Sequence, residues 1–538
     1  MEQTRKNTDT AFTISGRLLA SCAVAYMALP TILFLLGWVR PLFSVPAAMA
    51  VAAASVLLCV KLPVPTLHFT RRQLAVYLCA LLLSLLWLLA GGITGVALQH
   101  ADFVVRNPIY ETLIRCDWPL AEADGRHFIY YLAFWLPPAL ICKCFSWSDV
   151  FIVNYVLTAW IELGLALALT VLWGKFRMAT LLFLVLLIFQ GPLDGVVRWS
   201  VHLFNPQGQT AHELYLTVLA FFGGVAPTMQ LHYTFHHTTL LWLFLAMAVA
   251  WDIPPRHQLF LASLCLLASP IGSLGLLVFI AVRALVRRIP ARQYFSSWTV
   301  LAGGALVLLA GIYFTSSNGN NRIRLTWEDS PFDLLRHGGW KFWGALAGSW
   351  LLTVGAPAVL LFRRFKKDDL FWTALAVLTL TYFIYIGSVG GYNEFCYKAS
   401  SVSFFCLALL FTRIFAEPVG TRVARMVRLL SGAGGPAQPL RLRQGRAHAR
   451  LHGIRATCQH AASVGGPPPP PGASLERPAM GQRRGSRLPG RLFPESRGIR
   501  GRPPAPLLHR NENRRGTFRR SGLPALNAFH HSNDILPP

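Results

Sequence analysis

The stretch LLASCAVAYMALPTILFLLGWV, Leu18 to Val39, carries no charged side chain and as a helix is long enough to cross the roughly 30 Å hydrocarbon core of a bilayer. It follows a basic start (Arg5, Lys6, Arg17), exceeds the apolar core of a signal peptide, and has no small-x-small cleavage site directly after it. It therefore reads as an uncleaved first span. Outward from it the pattern recurs as far as Arg428, in apolar segments of about 20 residues separated by short polar loops.

The segments fall near residues 18–38, 43–60, 73–97, 128–145, 150–173, 178–195, 213–230, 234–252, 257–285, 296–314, 342–362, 370–388 and 398–416. The expected fold is an all-α polytopic membrane protein of about 11–14 transmembrane helices with short loops. Composition agrees: 54% hydrophobic and only 14% charged residues, with mean hydropathy +0.45, suit a chain that turns apolar side chains to lipid. The segment 257–285 is interrupted by Ser269-Pro270-Ile271-Gly272 and reads as two half-spanning helices, a break tolerated only against protein or a wet cavity.

Of the net charge of +27, the tail after Ser431 holds +14 and the rest +13. In the membrane body, 18–428, positive charge gathers at Arg71-Arg72, Arg283 to Arg292, Arg363-Arg364 with Lys366-Lys367, and Arg422 to Arg428. The positive-inside rule makes those loops cytoplasmic, together with the N-terminus (1–17) and the C-terminus. Lys175 and Arg177 break simple alternation and leave the parity between 128 and 231 open. The loops 97–127, 196–233, 315–341 and 388–397 then face outward. A bacterial inner (plasma) membrane protein is the expected location.

The tail, 432–538, has 18 Arg and no Lys, five prolines from Pro467 to Pro471, and three aromatic residues. It cannot bury enough apolar surface to order itself and is expected to be disordered. It reads either as a polybasic arm drawn to anionic headgroups or as translation in a shifted frame, and no nucleic-acid partner is expected.

The outward loops mix carboxylates, Arg and Trp. The loop 97–127 holds Asp102, Arg106, Glu122 and Asp124, and 315–341 holds Trp327-Glu328-Asp329 with Arg336 and His337. Carboxylates supply a base or hold a divalent metal, Arg pairs bidentately with phosphate, and Trp stacks on a sugar ring. Among the charges within spans, Glu162 in mid-segment and Asp194 near a segment end stand out, and charges inside a span are usually placed for a reason. A dense polar run follows: His202, His212-Glu213, then His232 and His236-His237. It matches no structural zinc spacing, and hydrogen bonding to phosphate or sugar suits it better. Asn393, Glu394 and Lys398 open the last span from the outer side on about one helical face.

Several pieces together resemble bacterial inner-membrane proteins similar to glycosyltransferases of the GT-C class. They are Asp102, Trp118-Pro119, Tyr130-Tyr131, Leu136-Pro137-Pro138-Ala139, Gly191-Pro192-Leu193-Asp194-Gly195, Thr238-Thr239-Leu240-Leu241-Trp242 and Tyr392-Asn393-Glu394-Phe395, spread over 95–416. The resemblance implies transfer of a sugar from a polyprenyl-phosphate carrier to an envelope acceptor on the outer face. It makes the lipid bilayer and a lipid-linked sugar donor the partners. Asp102, with Glu122 and Asp124, would be catalytic as base or as ligand of Mg or Mn; Arg106 would bind the phosphate. The class usually carries its acidic loop after the first span, whereas here it follows the third. The alternatives are a transporter or flippase of a lipid-linked or anionic substrate, using the broken segment with Glu162 and Asp194, and a non-catalytic membrane subunit. The absence of a G-x-x-x-x-G-K-S/T loop argues against a nucleotide-driven pump.

Overall fold

The computed structural model describes residues 10–416 apart from 63, 100–101, 121–127, 193–222, 296–297, 317–322, 326–338 and 387–392. The protein is an all-α polytopic integral membrane protein. Among the described residues seven helices are long and apolar enough to cross a membrane, and five apolar helices are shorter.

In chain order, β1 (Thr10–Ile14) leads into α1 (Gly16–Trp38), α2 (Pro41–Lys61), β2 (Leu67–Thr70) and α3 (Arg71–Ala90). Then come α4 (Phe103–Arg115), a 3-10 turn (Leu132–Trp135) running into α5 (Leu136–Cys144), α6 (Val150–Phe176) and α7 (Ala179–Phe189). They are followed by α8 (Pro227–Ala250), α9 (Pro255–Ser263), α10 (Pro270–Val286) and α11 (Thr299–Thr315). After β3 (Ile323–Leu325), α12 (Gly339–Trp350) passes through a π turn (Leu351–Gly355) into α13 (Ala356–Phe365). The described chain closes with α14 (Asp369–Phe383), β4 (Ile384–Ile386) and α15 (Glu394–Phe415).

Burial sorts the helices. The apolar windows of α8 and α15 are 89% buried within the protein, against 28% for α3 and 33% for α2. α8 and α15 form the centre, and α2 turns Leu42, Phe43, Met49 and Val60 outward, as a lipid-facing helix must. Close packing needs small residues where helices cross: a Cβ on Gly275 of α10 would stand 3.0 Å from Val402 and 3.1 Å from the Ala399 carbonyl oxygen of α15.

Side-chain pairs fix the direction of each helix. Tyr77 with Thr170 (2.6 Å) and Ser84 with Glu162 (2.6 Å) make α3 and α6 antiparallel. Lys175, ending α6, donates to the Val249 carbonyl at the end of α8, while Gly164 lies against Thr239, so α6 and α8 run parallel. Lys175 and Arg177 therefore share one end of the bundle with Arg71, Arg283 and Arg363. That basic end also receives the start of α1, whose β1 pairs antiparallel with β2, and the last turn of α15 at Arg413. The opposite end carries Asp102, Tyr131, His236 and Lys398.

One expectation is overturned and two gain detail. The segment 128–145 does not cross: α5 is about 13 Å long, Lys143 near its end reaches Asp117 at 3.5 Å, and Cys142 lies 3.7 Å from the Tyr110 hydroxyl of α4. The C-terminal end of α5 thus stays beside α4, and with α6 antiparallel to α3 this settles the parity that Lys175 left open. The loop 97–127 contains α4, whose buried Phe103, Arg106, Ile109, Tyr110, Leu113 and Ile114 recur at helical spacing. The segment 257–285 is broken where Ser269-Pro270 suggested, but α9 and α10 form a hairpin that returns to its starting end, since Arg283 and Arg287 both pair with Asp252, just before α9. The apex reaches the depth of Thr31, which donates to the Leu264 carbonyl at 3.2 Å.

Candidate functional site

Of the polar residues singled out in the sequence, Asp102, Arg106, His236, Asn393, Glu394 and Lys398 lie at the end opposite the basic one. α8 brings His236 and, beside it, His237. Its helix breaks at Thr234 (φ −130°, ψ 38°), and Thr238 and Thr239 fold their hydroxyls back onto the Phe235 carbonyl at 3.1 and 2.8 Å. Thr238-Thr239-Leu240-Leu241-Trp242 is thus buried helix, and the break sets His236 and His237 toward the 3-10 turn.

His236 is 1% exposed, its ring 4.3 Å from that of Trp135 and 4.0 Å from that of His237. Among the described residues neither ring nitrogen of His236 has a hydrogen-bond partner. A buried imidazole normally satisfies at least one nitrogen, and leaving both unmade costs about 1–3 kcal/mol per group. His237 packs edge-on against Tyr131 at 4.9 Å.

Lys398, on the second turn of α15, pairs with Glu394 one turn earlier and lies over the Tyr131 ring, Nζ to centroid 4.4 Å. α15 begins at Asn393, which is fully buried and committed to structure. Its Oδ1 accepts from the Phe395 and Cys396 amides at 3.1 and 3.4 Å and from Ile386 at 3.3 Å, and its Nδ2 donates to the Ile384 carbonyl at 3.0 Å. The side chain caps α15 and ties it to β4.

Asp102 precedes α4 and accepts from Arg106 Nη2 at 2.7 Å, the carboxylate half-exposed and the guanidinium 10% exposed. Arg106 Nη1 is buried and has no partner among the described residues. Tyr130 feels the charges of both Arg106 and Lys398; burial pushes its phenol up, and the two cations oppose that. Its backbone amide donates to the Tyr313 hydroxyl of α11 at 3.1 Å.

The arrangement is two cations, each held by a carboxylate on its own helix, around an aromatic and imidazole cluster with unsatisfied donors. The chemistry of such a setting suits an anionic or polyhydroxyl group: Arg106 Nη1 and Lys398 carry charge, His236 can make a hydrogen bond, and Tyr131 and Trp135 have flat apolar faces. Among the described residues no three His, Cys, Asp or Glu side chains converge on a metal position, and the Asp102 carboxylate is engaged by Arg106. Glu122 and Asp124, expected with Asp102 as ligands of Mg or Mn, lie outside the described residues.

Glu162 is placed elsewhere, in mid-α6 against Ser84 of α3. Glu122, Asp124, Asp194, His202, His212 and Glu213 lie outside the described residues. Sequence reasoning left Tyr131 and Trp135 without a role in the cluster; the available signal was two adjacent tyrosines just ahead of a Pro-Pro helix start.

Comparison with protein-family models, curated proteins and solved structures gives no match for this chain.

Proposed function

We propose that the chain is a membrane-embedded glycosyltransferase similar to the GT-C class, moving a sugar from a lipid-phosphate carrier to an envelope acceptor at the Lys398 end of the bundle. The observation that carries this reading is the pairing of two anion-ready cations, Arg106 and Lys398, with the unpartnered His236 between aromatic faces. Arg106 and Lys398 hold the phosphate, Trp135 and Tyr131 present flat faces to the sugar, and Asp102 acts as the base toward the acceptor hydroxyl. Lys and Arg crowd the opposite end, so the positive-inside rule puts that end in the cytoplasm of a bacterial plasma membrane and the site on the outer face.

A second reading, a flippase or transporter of a lipid-linked anion, is favoured by one feature, the α9–α10 hairpin whose apex approaches His237: Gly272 lies against the His237 carbonyl and Leu241. Radiolabelled polyprenyl-phosphate sugars offered with envelope lipid to the reconstituted full-length protein separate the two. Transfer that collapses in Asp102→Asn and Lys398→Met supports the enzyme. Absence of transfer with every donor from folded protein sinks it, and headgroup flipping that depends on Lys398 but not Asp102 then identifies the transporter.

A further inference from the structure

Glu162 lies outside the site just described. It stands about 18 Å along the axis from Val150 and about 21 Å from Phe176, at the middle of a span. Its Oε1 is 2.6 Å from Ser84 Oγ, and its Oε2 is buried with no partner among the described residues. Ser84 Oγ is also 2.9 Å from the Leu81 carbonyl oxygen of its own helix.

A hydroxyl has a single proton to give. If Ser84 gives it to Leu81, the short contact with Glu162 needs a proton from the carboxyl itself. The surroundings favour that state. Arg71 and Arg72 of α3, Arg17 of α1 and Lys175 of α6 all sit at helix ends, and Lys175 is about 20 Å along the axis from Glu162. Three nearer titratable groups are engaged in hydrogen bonds of their own. Tyr77 is bonded to Thr170 at 2.6 Å, Tyr26 donates to the Trp160 carbonyl at 2.9 Å, and His232 of α8 is bonded to the Trp87 carbonyl at 2.9 Å. Cys79 of α3 is exposed, and α7 has no titratable side chain. An ionised carboxylate here would rest on one hydrogen bond at a depth where charge is costly.

We infer that Glu162 is a proton-binding site within the membrane, held as a carboxylic acid that donates to Ser84, which in turn donates to the Leu81 carbonyl. The site borders lipid, because Leu82, Leu85 and Leu86 of α3 and Leu163 of α6 are exposed around it. It is therefore a modification site for an apolar carbodiimide. The acid adds across N=C=N, its proton passing to one nitrogen and its oxygen bonding the central carbon. An oxygen-to-nitrogen acyl shift then leaves an N-acylurea that retains every reagent atom.

The test uses full-length protein in lipid nanodiscs treated with dicyclohexylcarbodiimide across a pH series, read by peptide mass spectrometry and by infrared spectroscopy. Expected near neutral pH are an adduct on Glu162 that is lost in Glu162→Gln, and the carbonyl stretch of a protonated acid that disappears in the same variant. Ser84→Ala removes the acceptor of the acid's proton, so the labelling midpoint falls by up to about one pH unit. A midpoint that rises would show Ser84 donating to a carboxylate. That result, or an infrared spectrum without a protonated-acid band that Glu162→Gln removes, overturns the inference. Neither readout depends on sugar transfer.

Discussion

The two ends of the bundle use the same residue types to opposite effect. At the basic end the ion pairs among the described residues join different segments. Arg283 meets Asp252 and Asp369, Arg287 bridges the same two carboxylates at 2.7 and 3.1 Å, and Arg413 meets Asp368. Arg283 and Lys175 also donate to the Ala248 and Val249 carbonyls, where α8 exposes the unpaired acceptors of its last turn. At the other end Asp102 and Arg106, and Glu394 and Lys398, pair within one helix at i, i+4, so they hold no two helices together. Arg283 and Arg106 each retain one buried nitrogen without a hydrogen-bond partner among the described residues, so the two ends differ in what their ion pairs join, helix to helix or within one helix, and not in spare donors.

The comparison breaks most visibly at Arg283. Arg283→Met leaves Asp369, 8% exposed, with Arg287 as its remaining cation among the described residues, and a loss of about 1–3 kcal/mol is expected. Unfolding in detergent should show it, and adding Asp369→Leu should recover much of the loss; full stability of the single variant would mean the clasp is ornamental. At the opposite end the sign reverses. His236→Phe removes two unsatisfied nitrogens from an aromatic setting, so stability should hold or rise by about 1 kcal/mol while the function assigned to this end is lost. A clear destabilisation would instead make His236 ordinary core.

Acid provides a subtler probe. Burial alone would raise the Asp252 carboxyl, but the hydrogen bond from Arg287 and the charges of Arg283 and Arg287 outweigh it and hold the group below the usual range. A carboxylate depressed in the folded state adds stability above its ordinary value, near 3.9, and that contribution drains away as pH falls through the lower folded value. The melting-temperature gap between wild type and Asp252→Asn should therefore be constant at neutral pH and close below about pH 4. The smallest effect belongs to Arg115 and Glu111, paired at 2.9 Å within α4 with both side chains more than half exposed. Arg115→Gln should change stability by less than about 0.5 kcal/mol.

Much of this was legible in the sequence. Apolar length disclosed the long spans, Ser269-Pro270 disclosed the break, and the spacings of Asp102 with Arg106 and of Glu394 with Lys398 place each pair on one helix face. α4 was hidden because Arg106, Glu111 and Arg115 dilute its apolar stripe below the hydropathy of a span. α5 was misread because residues 128–135 add enough apolar length to a nine-residue helix to imitate a crossing. The clasp was hidden for a different reason: Asp252 and Asp369 are far apart in sequence, and no periodicity links carboxylates to the arginines they hold.

The α9–α10 hairpin also constrains how the chain is made. A leg of nine residues, about 13 Å, is too short to be retained in lipid as a span, and the non-helical apex at Leu264–Ser269 needs protein around it. Thr31 of α1 and the Gly272 contact with α8 supply part of that shelter, while Gly275 must nest against α15, which is synthesised more than a hundred residues later. The hairpin must then wait, half-housed, for α15 to arrive from the ribosome. Truncation before Glu394 would release a chain that the membrane-protein quality-control machinery should recognise and degrade.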